Sequence, residues 1–302
     1  MNGILPLWKP RGMTSHDCVF KLRKLLRTKK VGHTGTLDPE VSGVLPICIG
    51  RATKVAEYIT DAGKTYEGEV TLGYSTTTED AWGDVVERKE VEGQIDRSSV
   101  EEVLGAFTGD IIQTPPMFSA VKVNGKRLYE YARQGIEVER PSRKVHIHEL
   151  ELLGSWDRLD REHPRFKFKV SCSKGTYVRT LAVEIGKKLG YPAHMSALTR
   201  TRSASFTEEE CFTFEEVEEY VNSDRAEELI FPLELGLSHL PKMVINDTLA
   251  KKVKNGSRLD EPKDWPQDSE VVMEQDGRAI AIYKRHPDKA EIIKPVKVLF
   301  ND

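Results

Sequence analysis

The segment from residue 32 to residue 50, GHTGTLDPEVSGVLPICIG, constrains the fold more than any other part of the chain. Its first half is small and polar and carries the carboxylate of Asp38 against Pro39. Its second half is a continuous apolar run from Val44 to Ile49, which is typical of a segment buried in a core. A turn joined directly to buried sequence can hold a side chain rigidly, so Asp38 is a candidate nucleophile. Asp-Pro pairs in loops more often only initiate a turn, and spacing alone favours that interpretation.

The length of 302 residues predicts two domains, because one hydrophobic core rarely grows beyond about 250–300 residues. A composition of 38% hydrophobic and 31% charged residues is that of a soluble globular protein. No apolar run reaches the roughly 18 residues that a membrane span needs, and the N-terminal sequence lacks signal-peptide features. We therefore expect a cytoplasmic protein with no membrane contact. The four cysteines form no CxxC pair, which argues against a zinc site or a disulfide framework and predicts reduced thiols.

The net charge of -3 hides a polarised distribution of charge. Residues 1–60 contain 10 Lys and Arg against 4 Asp and Glu, whereas residues 205–240 contain 1 against 11. Residues 122–144 contain 7 cations against 3 acids and include Tyr129 and Tyr131. Phosphate contacts depend on local positive potential, and aromatic rings can stack on bases, so the basic segments are candidates for RNA binding. Solvated charged faces without any ligand explain the same pattern.

The pattern of apolar residues predicts a mixed α+β protein, with strands where apolar residues alternate and helices where they recur three and four apart. The predicted strands lie near residues 3–10, 66–72, 118–123, 145–147, 166–172, 270–274, 278–284 and 292–299. The predicted helices lie near residues 15–26, 52–64, 98–107, 126–134, 177–189, 212–221 and 248–255. The expected N-cap residues are Thr14 or Ser15, Ser98 and Thr248.

The pattern changes near residues 238–242, where we place a domain boundary. Residues 1–240 form the predicted larger domain, and residues 241–302 form a small β-rich domain with one short helix. His146 and His148 share one face of a predicted strand, but with no third ligand nearby they are interpreted as surface residues rather than a metal site.

Five segments that follow one another along roughly the first 200 residues resemble the bacterial tRNA pseudouridine-55 synthases of the TruB family. They are LWKPRGMTSHD, GHTGTLDPEVSGVLPICIG, KTYEGEVTLG, MFSAVKVNGKRLYEYARQGIEV and SCSKGTYVRTL. Several long motifs that match together are far more specific than one short pattern. The resemblance implies a catalytic domain with the pseudouridine synthase fold, built on an antiparallel sheet. It also implies that residues 241–302 are a PUA-like RNA-binding domain.

The resemblance further implies an isomerase that converts the T-loop uridine at position 55 of tRNA to pseudouridine. It implies neither a metal nor an organic cofactor, and the sequence contains no P-loop, dinucleotide fingerprint or zinc spacing. The expected partner is the T stem-loop of tRNA. Nothing in the sequence demands an oligomer, so we expect a monomer that requires no protein partner.

Three residues match the catalytic positions of the family. Asp38 matches the nucleophilic carboxylate, which acts only while it is ionised. A carboxylate in a dry pocket tends to become neutral, so a permanent cation nearby is needed, and Arg179 matches the arginine of the active site. Tyr66 matches a residue that packs on the target base and is a candidate for proton removal.

Four further residues match positions that bind or support the substrate site. His33 matches the residue that enters the space left by the flipped-out base, although a loop histidine bonded to its own backbone is the alternative. Tyr177 and Leu198 match positions that line the base pocket. Lys9 matches a Lys-Pro turn that supports the Asp38 loop.

Two other functions compete with the isomerase. A non-catalytic protein that binds or folds tRNA through the same surface explains the basic segments, but binding alone does not require the set of Asp38, Tyr66 and Arg179. A carboxylate-dependent hydrolase is disfavoured, because no second carboxylate is placed as an acid partner.

Overall fold

The structure is a computed structural model that describes residues 1–92, 95–154, 163–266 and 269–300. The chain divides into two compact units. The first unit comprises Met1–Pro39, Gly43–Ala62 and Ser203–Asp302, and the second unit comprises Glu40–Ser42 and Gly63–Arg202. Each unit is therefore assembled from segments that are distant in sequence.

The described residues form a mixed α+β fold. The α-helices are α1 Ser15–Leu25, α2 Ala56–Asp61, α3 Arg97–Ala106, α4 Leu128–Arg133, α5 Val178–Lys188, α6 Phe214–Asn222 and α7 Asp247–Lys254. Short 3-10 helices lie at Gly50–Val55, Glu208–Glu210, Ala226–Leu229 and Leu233–Leu237. The strands are β1 Gly3–Lys9, β2 Val31–His33, β3 Ser42–Ile49, β4 Lys64–Leu72, β5 Tyr74–Thr76, β6 Val85–Arg88, β7 Gly109–Gln113, β8 Lys122–Val123, β9 Lys126–Arg127, β10 Arg143–Leu153, β11 Arg165–Cys172, β12 Ala193–Ser203, β13 Phe206–Thr207, β14 Lys242–Val244, β15 Leu259–Asp260, β16 Val271–Gln275, β17 Arg278–Arg285 and β18 Ile292–Val298. None of the described helices is long and apolar enough to cross a membrane.

Strand β3 is the buried centre of the first unit, as its apolar sequence predicted. Every residue of β3 after Ser42 is buried. Strand β1 pairs with it antiparallel, from Gly3 opposite Ile49 to Lys9 opposite Gly43. Strand β2 pairs antiparallel with the second half of β3. The segment that carries Asp38 therefore starts from β2 and returns into β3, two strands that are hydrogen-bonded to each other.

The C-terminal strands form a five-stranded sheet in the order β14, β16, β17, β18 and β15, also within the first unit. Alternate side chains of a strand point to opposite faces. In β16, Val271 and Met273 pack into a cluster with Val253 of α7, whereas Val272 packs into the cluster that contains Val44. The tail thus shares a core with β3. The domain boundary between residues 240 and 241 stays a prediction; β14 begins at Lys242.

The second unit is built on strands in the order β12, β4, β11, β10 and β7. The pairs β4 with β11, β11 with β10 and β10 with β7 are antiparallel, as the resemblance implied. A short hairpin joins β8 to β9 through Asn124 and Gly125, which have φ of 50° and 83°. Two positive φ values are what a tight hairpin of this kind requires, and the Asn-Gly pair predicted it.

Two of the expected helix caps were wrong by two residues. Asp96, rather than Ser98, caps α3, and its carboxylate accepts a hydrogen bond from the amide three residues further on at 2.7 Å. Asn246, rather than Thr248, caps α7 in the same way at 2.9 Å. An N-cap lies where the backbone leaves the extended conformation, and residue type alone does not fix that point when several capping residues follow one another.

Candidate active site

The loop that carries Asp38 is fixed to the start of α1. The residue before Asp38, Leu37, is buried, and its amide donates to Ser15 Oγ at 2.8 Å, while Ser15 Oγ donates to the Leu37 carbonyl at 3.3 Å. Ser15 is in turn held by the helix cap, because Thr14 and Asp17 form the reciprocal bonds of a capping box. Of the two predicted caps, Thr14 and Ser15, the N-cap is Thr14, and the consequence is a rigid attachment beside Asp38.

Lys9 supports the other side of the same loop. Its side chain is 0% exposed, and its ammonium donates to the carbonyls of Pro10 at 2.9 Å and Pro39 at 3.0 Å. The Pro39 carbonyl also accepts from the Gly12 amide at 2.9 Å. A buried charge is costly unless it is hydrogen-bonded, so these two bonds fix the position of Lys9 as well as that of the loop. Asp38 is consequently held by its neighbours on both sides.

His33 lies at the end of β2, opposite Ile47 of β3, and is half-buried. Its Nδ1 accepts a long hydrogen bond of 3.4 Å from the amide of Gly35. The next residue, Thr34, is buried and donates to the Pro46 carbonyl at 2.9 Å. The local backbone contact that the sequence offered as an alternative is therefore present, and the insertion role of His33 stays a prediction.

In the second unit, Tyr66 and Leu198 lie on one face of the sheet. Both are 8% exposed. A Cβ atom on Gly68 would lie 2.6 Å from Cζ of Phe168 and 3.1 Å from Cδ1 of Leu198, so only glycine fits there. Gly68 is two residues along β4 from Tyr66 and faces the same side. The structure therefore places Tyr66 and Leu198 on the same face of the sheet, on either side of Gly68.

Tyr177 occupies the N-cap position of α5, and hydrogen bonds to its backbone hold it in place. The Gln113 side chain accepts from the Tyr177 amide at 2.9 Å and donates to its carbonyl at 3.2 Å. Gln113 is itself buried. The guanidinium of Arg143 lies 4.9 Å from the centre of the Tyr177 ring, a cation–π contact. Tyr177 is thus presented at the start of the helix that carries Arg179.

Arg179 is 6% exposed and lies in the first turn of α5. Its guanidinium donates to the carbonyls of Thr78 at 2.8 Å and Phe118 at 2.9 Å. Its Nη1 also lies 3.8 Å from Oδ2 of Asp80, whose side chain is largely buried. Removing one partner of a buried ion pair costs about 3–5 kcal/mol, because a buried charge is left uncompensated. The arrangement holds the cation in one orientation, and its pairing with Asp38 stays a prediction.

Two acidic residues of this site, Glu79 and Asp80, were missed by the sequence reasoning. They lie in the stretch TTTEDAWGD, which is typical of an ordinary polar turn. Oδ1 of Asp80 accepts from Thr78 Oγ1 at 2.5 Å and from the Trp82 amide at 3.0 Å. Glu79 accepts from Thr180 Oγ1 at 2.7 Å. No sequence signal connects this turn with α5, because the residues concerned are about one hundred positions apart.

The histidine pair on β10 is exposed, as the interpretation of surface residues requires. The rings of His146 and His148 lie 4.7 Å apart, and His146 Nδ1 lies 2.7 Å from Oδ1 of Asp110. Lys144 forms an ion pair with the same carboxylate at 2.7 Å. Within the described residues, no group of three or more His, Cys, Asp and Glu side chains is arranged to hold a metal ion.

Comparison with solved structures defines the class of protein. A chain in the crystal structure of a Cbf5-Nop10-Gar1 complex is similar over 99% of this chain and 85% of its own length, with a TM-score of 0.77 and 29% identity. A chain in the archaeal box H/ACA sRNP Nop10-Cbf5 complex is similar over 99% and 86%, with a TM-score of 0.74 and 26% identity. The fold is the pseudouridine synthase fold.

Sequence comparison narrows this class to one family. Residues 23–178 match the TruB family pseudouridylate synthase N-terminal domain, and residues 179–238 match the tRNA pseudouridylate synthase B C-terminal domain. The chain is 58% identical over 303 residues to tRNA pseudouridine synthase B of Bacillus subtilis (strain 168), covering 99% of this chain and 98% of the relative. It is 59% identical over 302 residues to the protein of the same name from Bacillus licheniformis, covering 99% and 97%. The chain belongs to the TruB family of pseudouridylate synthases.

Proposed function

We propose that this chain isomerises a uridine of tRNA to pseudouridine and that its target is the T-loop uridine at position 55. The observation that carries the proposal is the rigidly anchored Asp38 loop, in a chain that aligns over its whole length with relatives named tRNA pseudouridine synthase B. The reaction breaks the bond between N1 of uracil and the ribose, turns the base, and joins C5 to the same ribose carbon. One proton leaves C5 and one is gained at N1, so the protein must supply a charged group and a route for a proton.

In this proposal Asp38 supplies the charge. Its carboxylate acts as a nucleophile or stabilises a cationic sugar, and either role requires the ionised form. We assign to Arg179 the role of favouring that form, because a guanidinium is permanently charged and matches a carboxylate with two parallel hydrogen bonds. The bonds that Lys9 and Ser15 make to the loop support this role, since a nucleophile displaced by about 1 Å can lose a hundredfold in rate.

The surface formed by Tyr66 and Leu198 receives the uracil ring. Tyr66 stacks on the base, and its hydroxyl is the candidate for proton transfer during the rearrangement. Leu198 and Tyr177 line the same pocket and exclude water from it. The closely packed environment of Gly68 supports this assignment, because Leu198 lies against the same face of β4 that carries Tyr66.

The target uridine must leave the stacked T loop before it can reach Asp38, at a cost of about a few kcal/mol. We assign to His33 the space that the base leaves behind, where an imidazole can stack and accept hydrogen bonds. Its position at the end of β2, in the same loop as Asp38, supports that role.

The basic segments bind the RNA backbone. On α1, Phe20 is 54% exposed and lies 4.4 Å from the Lys24 ammonium. In residues 122–144, the guanidinium groups of Arg127 and Arg133 lie 5.8 Å and 5.3 Å from the ring of Tyr129. Such cation and ring pairs suit phosphates and unstacked bases. The affinity for tRNA is expected to fall steadily with rising salt, and a flat response would contradict this assignment.

The PUA-like tail, residues 241–302, contributes further RNA contacts. Deleting it would expose the core that it shares with β3, so substitutions test it better. Lys251 and Lys252 are exposed on α7. The double variant K251E/K252E is expected to weaken tRNA binding without changing the rate of single-turnover modification at saturating enzyme. Unchanged affinity would contradict an RNA-binding tail.

We expect the chain to act as a monomer in the cytoplasm on the T stem-loop of tRNA, without a protein partner. The solved relatives named above were determined in complexes with other proteins, so this expectation is tested directly. A single species of 34.2 kDa in light scattering after gel filtration would agree with it, and a larger mass would contradict it.

The function is tested by mapping pseudouridine in an unmodified tRNA transcript after incubation with the purified protein in EDTA. Modification confined to the T-loop uridine is the expected result. D38N should bind tRNA and modify nothing, whereas D276N is the matched control, because Asp276 lies in an exposed turn where Asn is equally suitable. Binding without modification by the unaltered chain would point to a tRNA-binding protein instead. Turnover by D38N would remove Asp38 from the mechanism.

A further inference from the structure

The first turn of α5 has an unusual distribution of charge. The N-terminal end of a helix carries a partial positive charge and is stabilised by acidic side chains. The first turn of α5 contains no acidic residue and carries Arg179 instead. Negative charge is supplied from another part of the second unit, because the turn between β5 and β6 places Glu79 and Asp80 against this end of the helix.

Three consecutive residues of that turn contact two consecutive residues of α5. The Thr78 carbonyl accepts from Arg179 at 2.8 Å, and the carboxylate of Asp80 lies 3.8 Å from the same guanidinium. Between them, Oε2 of Glu79 accepts from Thr180 Oγ1 at 2.7 Å. Neighbouring residues of an extended chain point to opposite sides, so this convergence requires a special backbone conformation.

The backbone of Glu79 has that conformation, with φ of 64°. A positive φ is uncommon for a residue other than glycine and persists where surrounding contacts enforce it. Here the Glu79 amide donates to the Thr76 carbonyl at 3.2 Å, and the Glu79 carbonyl accepts from the Met195 amide at 3.0 Å. The side chain is thereby directed at Thr180.

We propose that Glu79 is a positioning residue for the reaction, and that its bond to Thr180 locks the first turn of α5 so that the guanidinium of Arg179 keeps one orientation. The inference rests on the proposed function, in which Arg179 favours the ionised form of the catalytic carboxylate. Glu79 itself touches no reacting atom. Glu79 acts on Arg179 through the first turn of α5. When the bond between Glu79 and Thr180 is lost, Arg179 can move relative to the Thr78 and Phe118 carbonyls that accept from it.

The surroundings of Glu79 agree with a fixed, half-buried group. Desolvation raises the pKa of this carboxyl, and the Thr180 hydroxyl and the guanidinium groups of Arg179 and Arg140 oppose that shift. The carboxylate of Glu184 on α5 adds to the rise. The hydroxyl and the two guanidinium groups thus favour the ionised form that desolvation disfavours.

The test uses the full-length chain with single-turnover rates and tRNA affinities measured separately on an unmodified transcript. E79A and T180V each remove the contact and are expected to slow modification roughly tenfold or more while tRNA affinity changes less than about twofold. T180S keeps the hydroxyl and E79Q keeps an acceptor oxygen, and both should restore most of the rate. The double variant E79A/T180V should be no slower than either single variant, because both remove the same contact.

E102A is the matched control. It removes an exposed carboxylate from α3 of the same unit and should leave the rate unchanged. Rates of E79A and T180V within about twofold of the unaltered chain, or effects that multiply in the double variant, would overturn the proposal. If E79A fails to fold, the comparison of T180V with T180S gives the same decision. An unaltered chain that modifies no tRNA would refute the proposed function instead, so the two failures are distinguishable.

Discussion

Replacing Lys9 with methionine tests the attachment of the catalytic loop. Methionine retains the unbranched apolar stem, but it removes the two bonds from the ammonium to the Pro10 and Pro39 carbonyls. Each hydrogen bond to a charged group contributes about 1.5–3 kcal/mol to stability. Removing the buried ammonium also removes its desolvation penalty, which offsets part of the loss of the two bonds. We therefore expect K9M to lower the free energy of unfolding by about 2–4 kcal/mol.

The assay is equilibrium urea unfolding, accompanied by single-turnover modification of tRNA under conditions where K9M is fully folded. The rate of modification should fall as well. In K9M the Pro39 carbonyl, which adjoins Asp38, loses its bond from the Lys9 ammonium and retains the bond from the Gly12 amide. K289M is the control for stability, since Lys289 is exposed outside the helices and strands and should change the unfolding free energy by less than about 0.5 kcal/mol. A K9M protein as stable and as fast as the unaltered chain would refute the claim that Lys9 holds the loop.

Three further predictions follow from burial. G68A should lower stability by about 1–3 kcal/mol and reduce activity, because the new methyl would overlap the Phe168 ring; an unchanged unfolding midpoint would contradict this. Burial raises the pKa of Cys18 and Cys172 to about 11 and that of Cys48 to about 12, so a thiol reagent at about pH 8 should label these three slowly in the folded chain and rapidly in urea. The raised pKa of Glu79 means that its ionised form destabilises the fold above that pKa, and the penalty disappears as pH falls through it. E79Q should accordingly gain stability relative to the unaltered chain at about pH 8 and lose that advantage at about pH 4, whereas a constant difference would refute the reasoning.

Local sequence determined those features of the fold that depend on neighbouring residues. The run from Val44 to Ile49 is a buried strand because its length and composition leave no polar side chain to face water. The pairs Asn124-Gly125 and Asp276-Gly277 form turns because these residues tolerate positive φ. Thr14 caps α1 because Asp17 completes the reciprocal bonds. Where several capping residues follow one another, as before α3 and α7, local sequence did not select among them.

The family resemblance named Asp38, Tyr66 and Arg179 and gave Lys9 a supporting role, but the contacts that hold the loop and Arg179 came from the tertiary structure. Lys9 reaches a carbonyl 30 residues away, and Arg179 is held by a turn 101 residues earlier in the chain. Contacts over such separations depend on how strands and helices pack, which no local pattern encodes. The TTTED turn is an ordinary polar loop by composition and became part of the site only because folding placed it against α5. The sequence by itself thus determined which elements form and which residues match the family, whereas only the tertiary structure decided which buried groups hold the site residues in place.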